Sequence, residues 1–180
     1  MNRDWVVLLA LPLAAYVAPT YAEDFLSAAE ALKVLLPAAD RFQEFPLALT
    51  DAQLDKVRSL SGHSQRNAKP PVWRAEKSGR LLGWFIVDEV VGKHEFITYG
   101  TAISPDGHVI GIEIMSYRET HGGQIRGAEW RKTFEGKTLA DPFKLNVDVP
   151  NISGATLSCR NVLDGVKRLL ALHRVALSDG

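Results

Sequence analysis

Apolar positions at Leu157, Val162, Leu163, Val166, Leu169, Leu170 and Leu172 recur at the i, i+3, i+4 spacing of a helix with one buried face. The run opens on Ile152-Ser153-Gly154-Ala155-Thr156-Leu157-Ser158-Cys159-Arg160 and ends near Val175, which predicts a long C-terminal helix entered through a glycine turn. Ser153 or Thr156 supplies the N-cap side chain, and Gly154 lets the chain turn sharply into the first turn. A helix start leaves backbone N–H groups unpaired and carries a partial positive charge. It therefore suits a phosphate, whether bound from solution or carried on a hydroxyl.

Upstream the period changes. Asp24 to Leu36 reads as a helix with Phe25, Leu32, Leu35 and Leu36 near one face, and Pro37 ends it. Ala38 to Leu49 reads as a connection. Thr50 and Gln53 form a capping box for a second helix with Leu54, Val57 and Leu60 on its apolar stripe, closed at Ser61-Gly62. Ser64 to Pro71 is a polar linker. Strands are expected at Val72–Glu76, Leu81–Val90, Glu95–Ile103 and His108–Tyr117, the last with Ile110, Ile112 and Ile114 on one face. The short connections, above all Ser104-Pro105-Asp106-Gly107, imply an antiparallel meander. After it come a polar glycine-rich loop from Arg118 to Ile125, a short helix at Ala128–Phe134 with Trp130 inward, and a mostly extended stretch from Thr138 to Pro150. The predicted fold is α+β: an antiparallel sheet packed by the long C-terminal helix, with two additional N-terminal helices.

Composition narrows the function. In 180 residues, Lys plus Arg and Asp plus Glu balance at 21 each, and no basic stripe forms, which argues against nucleic acid. A single cysteine, Cys159, excludes an intrachain disulfide and a cysteine zinc site. The histidines (His63, His94, His108, His121, His173) lack metal-ligand spacing. Arg3, an apolar run from Trp5 to Val17 and Thr20-Tyr21-Ala22 have the three parts of a signal peptide. The alternative is a retained membrane anchor, but the run is shorter than the roughly 20 residues of a spanning helix, and Pro12 and Pro19 interrupt it. The expected organisation is a signal peptide over 1–22, a helical segment over 23–63 and a second domain over 72–177, exported once the first is removed.

The order of motifs says more than any one of them. Tyr99-Gly100-Thr101, Pro105-Asp106-Gly107, Ile114-Met115-Ser116-Tyr117-Arg118-Glu119-Thr120-His121-Gly122, Trp130-Arg131-Lys132 and Ile152-Ser153-Gly154-Ala155-Thr156-Leu157-Ser158 follow one another along the chain. From about Leu81 to Val175 this resembles the FMN-binding domain of exported flavoproteins. That family includes flavin subunits of the sodium-translocating NADH:quinone reductase and the Rnf complex, and the flavin domain of nitrous-oxide reductase regulators. The resemblance implies FMN attached through a phosphoester to Thr156 by a periplasmic flavin transferase using FAD. It also implies that Ser153, Gly154, Ala155, Leu157 and Ser158 lie around the phosphoryl group, and that Glu119, Thr120, His121 and Gly122 contact the flavin. Two positions depart from the family pattern: Pro150 stands where an acidic residue is common, and His121 replaces a proline. The implied function is periplasmic electron transfer with a membrane redox protein or cytochrome, as a monomer or within a membrane-associated complex. Two alternatives stay open: a module that holds FMN reversibly or serves sensing or assembly, and a flavin reductase with its own small substrate.

Overall fold

The structure is a computed structural model that describes residues 23–24 and 26–178, so the expected signal segment lies outside the described residues. Among the described residues, six strands form one antiparallel sheet: β1 (Glu23–Asp24), β2 (Arg41–Glu44), β3 (Val72–Lys77), β4 (Arg80–Val91), β5 (Phe96–Ile103) and β6 (Val109–Tyr117), in the order β1-β6-β5-β4-β3-β2. The meander from β3 to β6 is the one the turn residues predict. Both edges are illegible locally. β2 lies in the expected connection and exists because Phe42 pairs with Ala75, while β1 pairs with the end of β6. Edge strands this short draw their definition from the partner strand.

The two faces of the sheet carry different helices. On one lies α4 (Thr156–Ala176), with α2 (Asp51–Ser61) beside it, over Trp84, Ile86, Tyr99 and Ile112. On the other lies α1 (Ala28–Leu35), whose Ala31 and Leu32 join Phe85, Ala102 and Met115. The two N-terminal helices are thus separated by the sheet. Both begin with capping boxes, Ser27 with Glu30 and Thr50 with Gln53, and Gly62 ends α2 in a left-handed conformation.

Ile110 does not share a face with Ile112 and Ile114. The β5–β6 register shifts between Ala102 and Ile103, so Ile110 turns to the α1 side while Val109 and Ile112 stay beneath α4. The stretch from Thr138 to Pro150 forms no strand; it is irregular chain broken by turns at 139–141 and 146–148, with a bridge between Leu145 and Val149. A short helix, α3 (Ala128–Lys132), follows a 3-10 turn at Gly123–Arg126.

A buried polar cluster fixes α4 on the sheet. Tyr99 donates to Asp88 at 2.9 Å, Asp88 pairs with Arg168 of α4, and Arg168 Nε donates to Gln65 Oε1 at 2.9 Å. Gln65 belongs to the polar linker, so one buried ion pair ties linker, helix and sheet together. Gly165 makes room for it: a Cβ there would stand 2.2 Å from the Tyr99 hydroxyl. Burial, with Asp88 adding to it, pushes the Tyr99 phenol well above its ordinary range and keeps it a donor.

Candidate functional site

Three segments meet at one end of the sheet: the β4–β5 turn, the loop leaving β6, and the start of α4. Antiparallel pairing brings them together, because Ile97 at the start of β5 lies opposite Tyr117 at the end of β6. Between them is a cleft of about 450 Å³, lined by Lys93, His94, Glu119, Thr120, His121 and Gly154 to Ser158. Seven predicted site residues therefore converge on it with Thr156. Ser153 is exposed and does not line it, and Gly122 lies behind it. A larger hollow of about 600 Å³, bordered by Arg66, Val87 and Phe96, contains none of the predicted residues.

The start of α4 differs from the expected capped turn. The N-cap position is Ala155, no side chain caps the helix, and the first turn holds no acidic residue. Gly154, at φ 80°, makes the turn into it. The first backbone bond within the helix runs from Cys159 N to Ala155 O at 2.8 Å. The N–H groups of Thr156, Leu157 and Ser158 thus lack a helical partner, and the positive end of a 21-residue helix faces the cleft. Neither Ser153 nor Thr156 caps because Thr156 is the first residue inside the helix, where its hydroxyl accepts from Asn151 Nδ2 at 3.1 Å instead.

The opposite wall is fastened by Glu119. Its Oε1 accepts from His94 N at 2.6 Å and Glu95 N at 3.0 Å, so the carboxylate clasps the β4–β5 turn. Desolvation acts to raise its pKa, but the backbone N–H groups of Glu95, His94 and Lys93 outweigh that and hold the carboxyl below its usual range. Tyr117 holds the next residues by donating to the carbonyl of His121. Burial pushes its phenol up, against the neighbouring Ser158 hydroxyl, which pulls the other way. Gly122 lets this loop press on the helix, since a Cβ there would fall 2.2 Å from the Ala155 Cβ. Gly122 packs the site rather than lining it.

Thr156, Thr120, His121, Lys93 and His94 are exposed, and Leu157 is 46% exposed, a large apolar side chain left open at the rim. Ser158 and Cys159 are buried, and burial raises the Cys159 thiol pKa, which leaves it a core group. Trp130 is buried and donates to the carbonyl of Pro150 at 2.9 Å, so it anchors the segment before α4 rather than bordering the cleft. Sequence reasoning misses Lys93, His94, Tyr117 and Asn151. The Gly92-Lys93-His94 turn holds a signal for two of them, because a meander must return it to the end of the sheet where β6 finishes.

Residues 92–171 match the profile of the FMN-binding domain family, and that stretch contains every residue of the cleft. The chain also resembles curated proteins. The chain is 27% identical over 110 residues to a subunit of the ion-translocating oxidoreductase complex of Stutzerimonas stutzeri, covering 55% of this chain and 48% of that protein. It is 26% identical over 139 residues to a subunit of the proton-translocating ferredoxin:NAD(+) oxidoreductase complex of Clostridium ljungdahlii, covering 71% of this chain and 74% of that one. It thus spans about half the length of the first relative and about three quarters of the second. The crystal structure of Shewanella oneidensis NqrC aligns with a TM-score of 0.48 and 16% identity, over 78% of this chain and 72% of that one. Among the described residues, no helix is long and apolar enough to cross a membrane, and no group of three or more His, Cys, Asp or Glu side chains is placed to hold a metal.

Proposed function

We propose that this protein is an exported electron-transfer flavoprotein that carries FMN in phosphoester linkage on Thr156. The observation that carries the reading is the exposed Thr156 hydroxyl at the uncapped start of α4, opening on the cleft within the FMN-binding segment. The residues present fit the group. Unpaired N–H groups and the positive helix end favour a phosphate, and Lys93 lines the same cleft. The cleft volume of about 450 Å³ is in the range of small-molecule sites.

In this assignment Thr156 tethers the phosphoryl group, and Gly154, Ala155 and Ser158 surround it with Ser153 just before them. Leu157 gives the ring an apolar neighbour. Glu119, Thr120 and His121 form the far wall, and Gly122 holds that wall against the helix. FMN, when bound, supplies the redox chemistry, and the chain attaches and orients it. A tethered cofactor cannot dissociate, so its edge can stay open to a partner without loss of the group.

Residues 1–22 direct export, and a periplasmic flavin transferase installs the group from FAD. The two curated relatives are by name subunits of ion-translocating and ferredoxin:NAD(+) oxidoreductase complexes. We therefore take the donor and acceptor to be membrane redox proteins or cytochromes. The test is the intact mass of protein exported together with a flavin transferase. The expected product carries an adduct of FMN minus water, absent from Thr156→Ala. An unmodified chain with dialysable flavin would contradict the assignment.

A further inference from the structure

We infer that Asn151 is a positioning residue for attachment of the flavin phosphoryl group, holding the Thr156 hydroxyl in the orientation in which it attacks. The inference rests on the covalent reading above and goes beyond it by naming the group that sets the nucleophile.

Asn151 Nδ2 donates to Thr156 Oγ1 at 3.1 Å, across the turn made by Ile152 to Ala155. The Asn151 backbone is itself held, because its N–H donates to Asn146 Oδ1 at 3.1 Å. Asn146 stands at φ 62° and donates its own N–H to Val149 O at 2.7 Å. Pro150, the residue before Asn151, is pinned through its carbonyl by the indole of Trp130 at 2.9 Å. Asp148 closes the loop by accepting from the backbone of Phe143 and Lys144 and from Lys137 Nζ. The amide therefore arrives at Thr156 on a strap fixed at several points.

One atom in this strap is unexplained by local structure. Asn151 Oδ1 is buried and has no hydrogen-bond partner. An orphaned buried oxygen is a cost that a purely structural asparagine would relieve by rotation or be replaced to avoid. The amide instead keeps its N–H on Oγ1. That bond occupies one lone pair of the hydroxyl, leaves the other free, and leaves the hydroxyl proton available to a base.

In the attachment step, Thr156 Oγ1 attacks the flavin-side phosphorus of the FAD pyrophosphate, and an O–P bond forms. The bond from that phosphorus to the bridging oxygen breaks, and AMP departs with the electron pair. The hydroxyl proton passes to a base of the transferase. No oxidation or reduction occurs. A nucleophile fixed by one hydrogen bond loses rate when that bond is removed, even where binding to the transferase is unchanged.

The experiment measures attachment by intact mass against time, using the exported chain, a flavin transferase and FAD, with chain concentration varied. Asn151→Leu removes both polar atoms at nearly constant size. Asn146→Gly keeps the left-handed backbone but removes the acceptor for the Asn151 N–H. The expected result is attachment roughly 10-fold slower at saturating chain for Asn151→Leu, with KM for the chain and Tm unchanged. Asn146→Gly should slow it less, in the same direction. Wild-type rates in both variants would overturn the inference, as would a change confined to KM. If Asn151→Leu lowers Tm, the rate of Asn146→Gly at unchanged Tm decides. An unmodified parent chain would instead remove the covalent reading itself, and that failure is seen before any variant is made.

Discussion

Glu119, expected from its motif to touch the flavin, has its carboxylate engaged with the backbone of the β4–β5 turn. Its contribution is to hold one wall of the cleft in place. The folded pKa is depressed, so this stabilisation is complete above the unfolded value of about 4.3 and is lost as pH falls through the lower folded value. Hydrogen exchange at the His94 and Glu95 amides, corrected for intrinsic rates, should therefore accelerate on acidification below about pH 4. In Glu119→Ala the same amides should be fast already at neutral pH. Thr156 shows the complementary lesson. Its place in the sequence suits both a cap and an attachment point, and the structure withdraws the first role because Thr156 is already the first residue inside α4, with Ala155 at the N-cap. Thr156→Ala is then a clean variant, expected to change stability by less than about 0.5 kcal/mol against the ~1 kcal/mol of a lost N-cap.

Among the elements, α4 is the most legible, since its apolar spacing survives over 21 residues and its burial leaves few other solutions. The capping box at Thr50 and Gln53 is equally plain because it is written in four adjacent residues. What could not be read depends on distant partners. β2 is drawn into the sheet by a strand some thirty residues away, and the bulge that redirects Ile110 arises from register with β5. Gly165 is a further case. It weakens α4 as an isolated helix, by about 1 kcal/mol relative to alanine. The sheet explains it, because the Tyr99 hydroxyl occupies the space a side chain would need. Gly165→Ala should thus destabilise the protein by about 1–3 kcal/mol in denaturant unfolding, despite its better helix propensity. A stabilised variant would show that α4 can shift off Tyr99 without penalty.

Over the whole molecule, the sheet separates two cores. One carries α4 and the cleft at its start, and the other is closed by α1. The motif order marks the segment that matches the FMN-binding profile and most of the residues that line the cleft, while the opposing wall of Lys93 and His94 becomes visible only with the topology. Near the far end of α4, His173 is 2% exposed and its Nε2 is buried without a partner. Burial lowers its pKa against a weaker opposing pull from Asp106. The unfolded chain therefore binds a proton that the folded chain resists, so stability present above about pH 6.5 is lost as pH falls toward the depressed folded value. Tm should drop between pH 7.5 and 5.5, and His173→Leu should flatten that dependence.

Whatever the partners, Thr156 is the proposed point where flavin and chain join. The most direct measurement is the intact mass of the protein after export beside a flavin transferase, compared with Thr156→Ala of equal Tm. The predicted result is a quantitative FMN-minus-water adduct on the parent that survives denaturation and is absent from the variant. A parent chain of unmodified mass, or an adduct retained in Thr156→Ala, would contradict it.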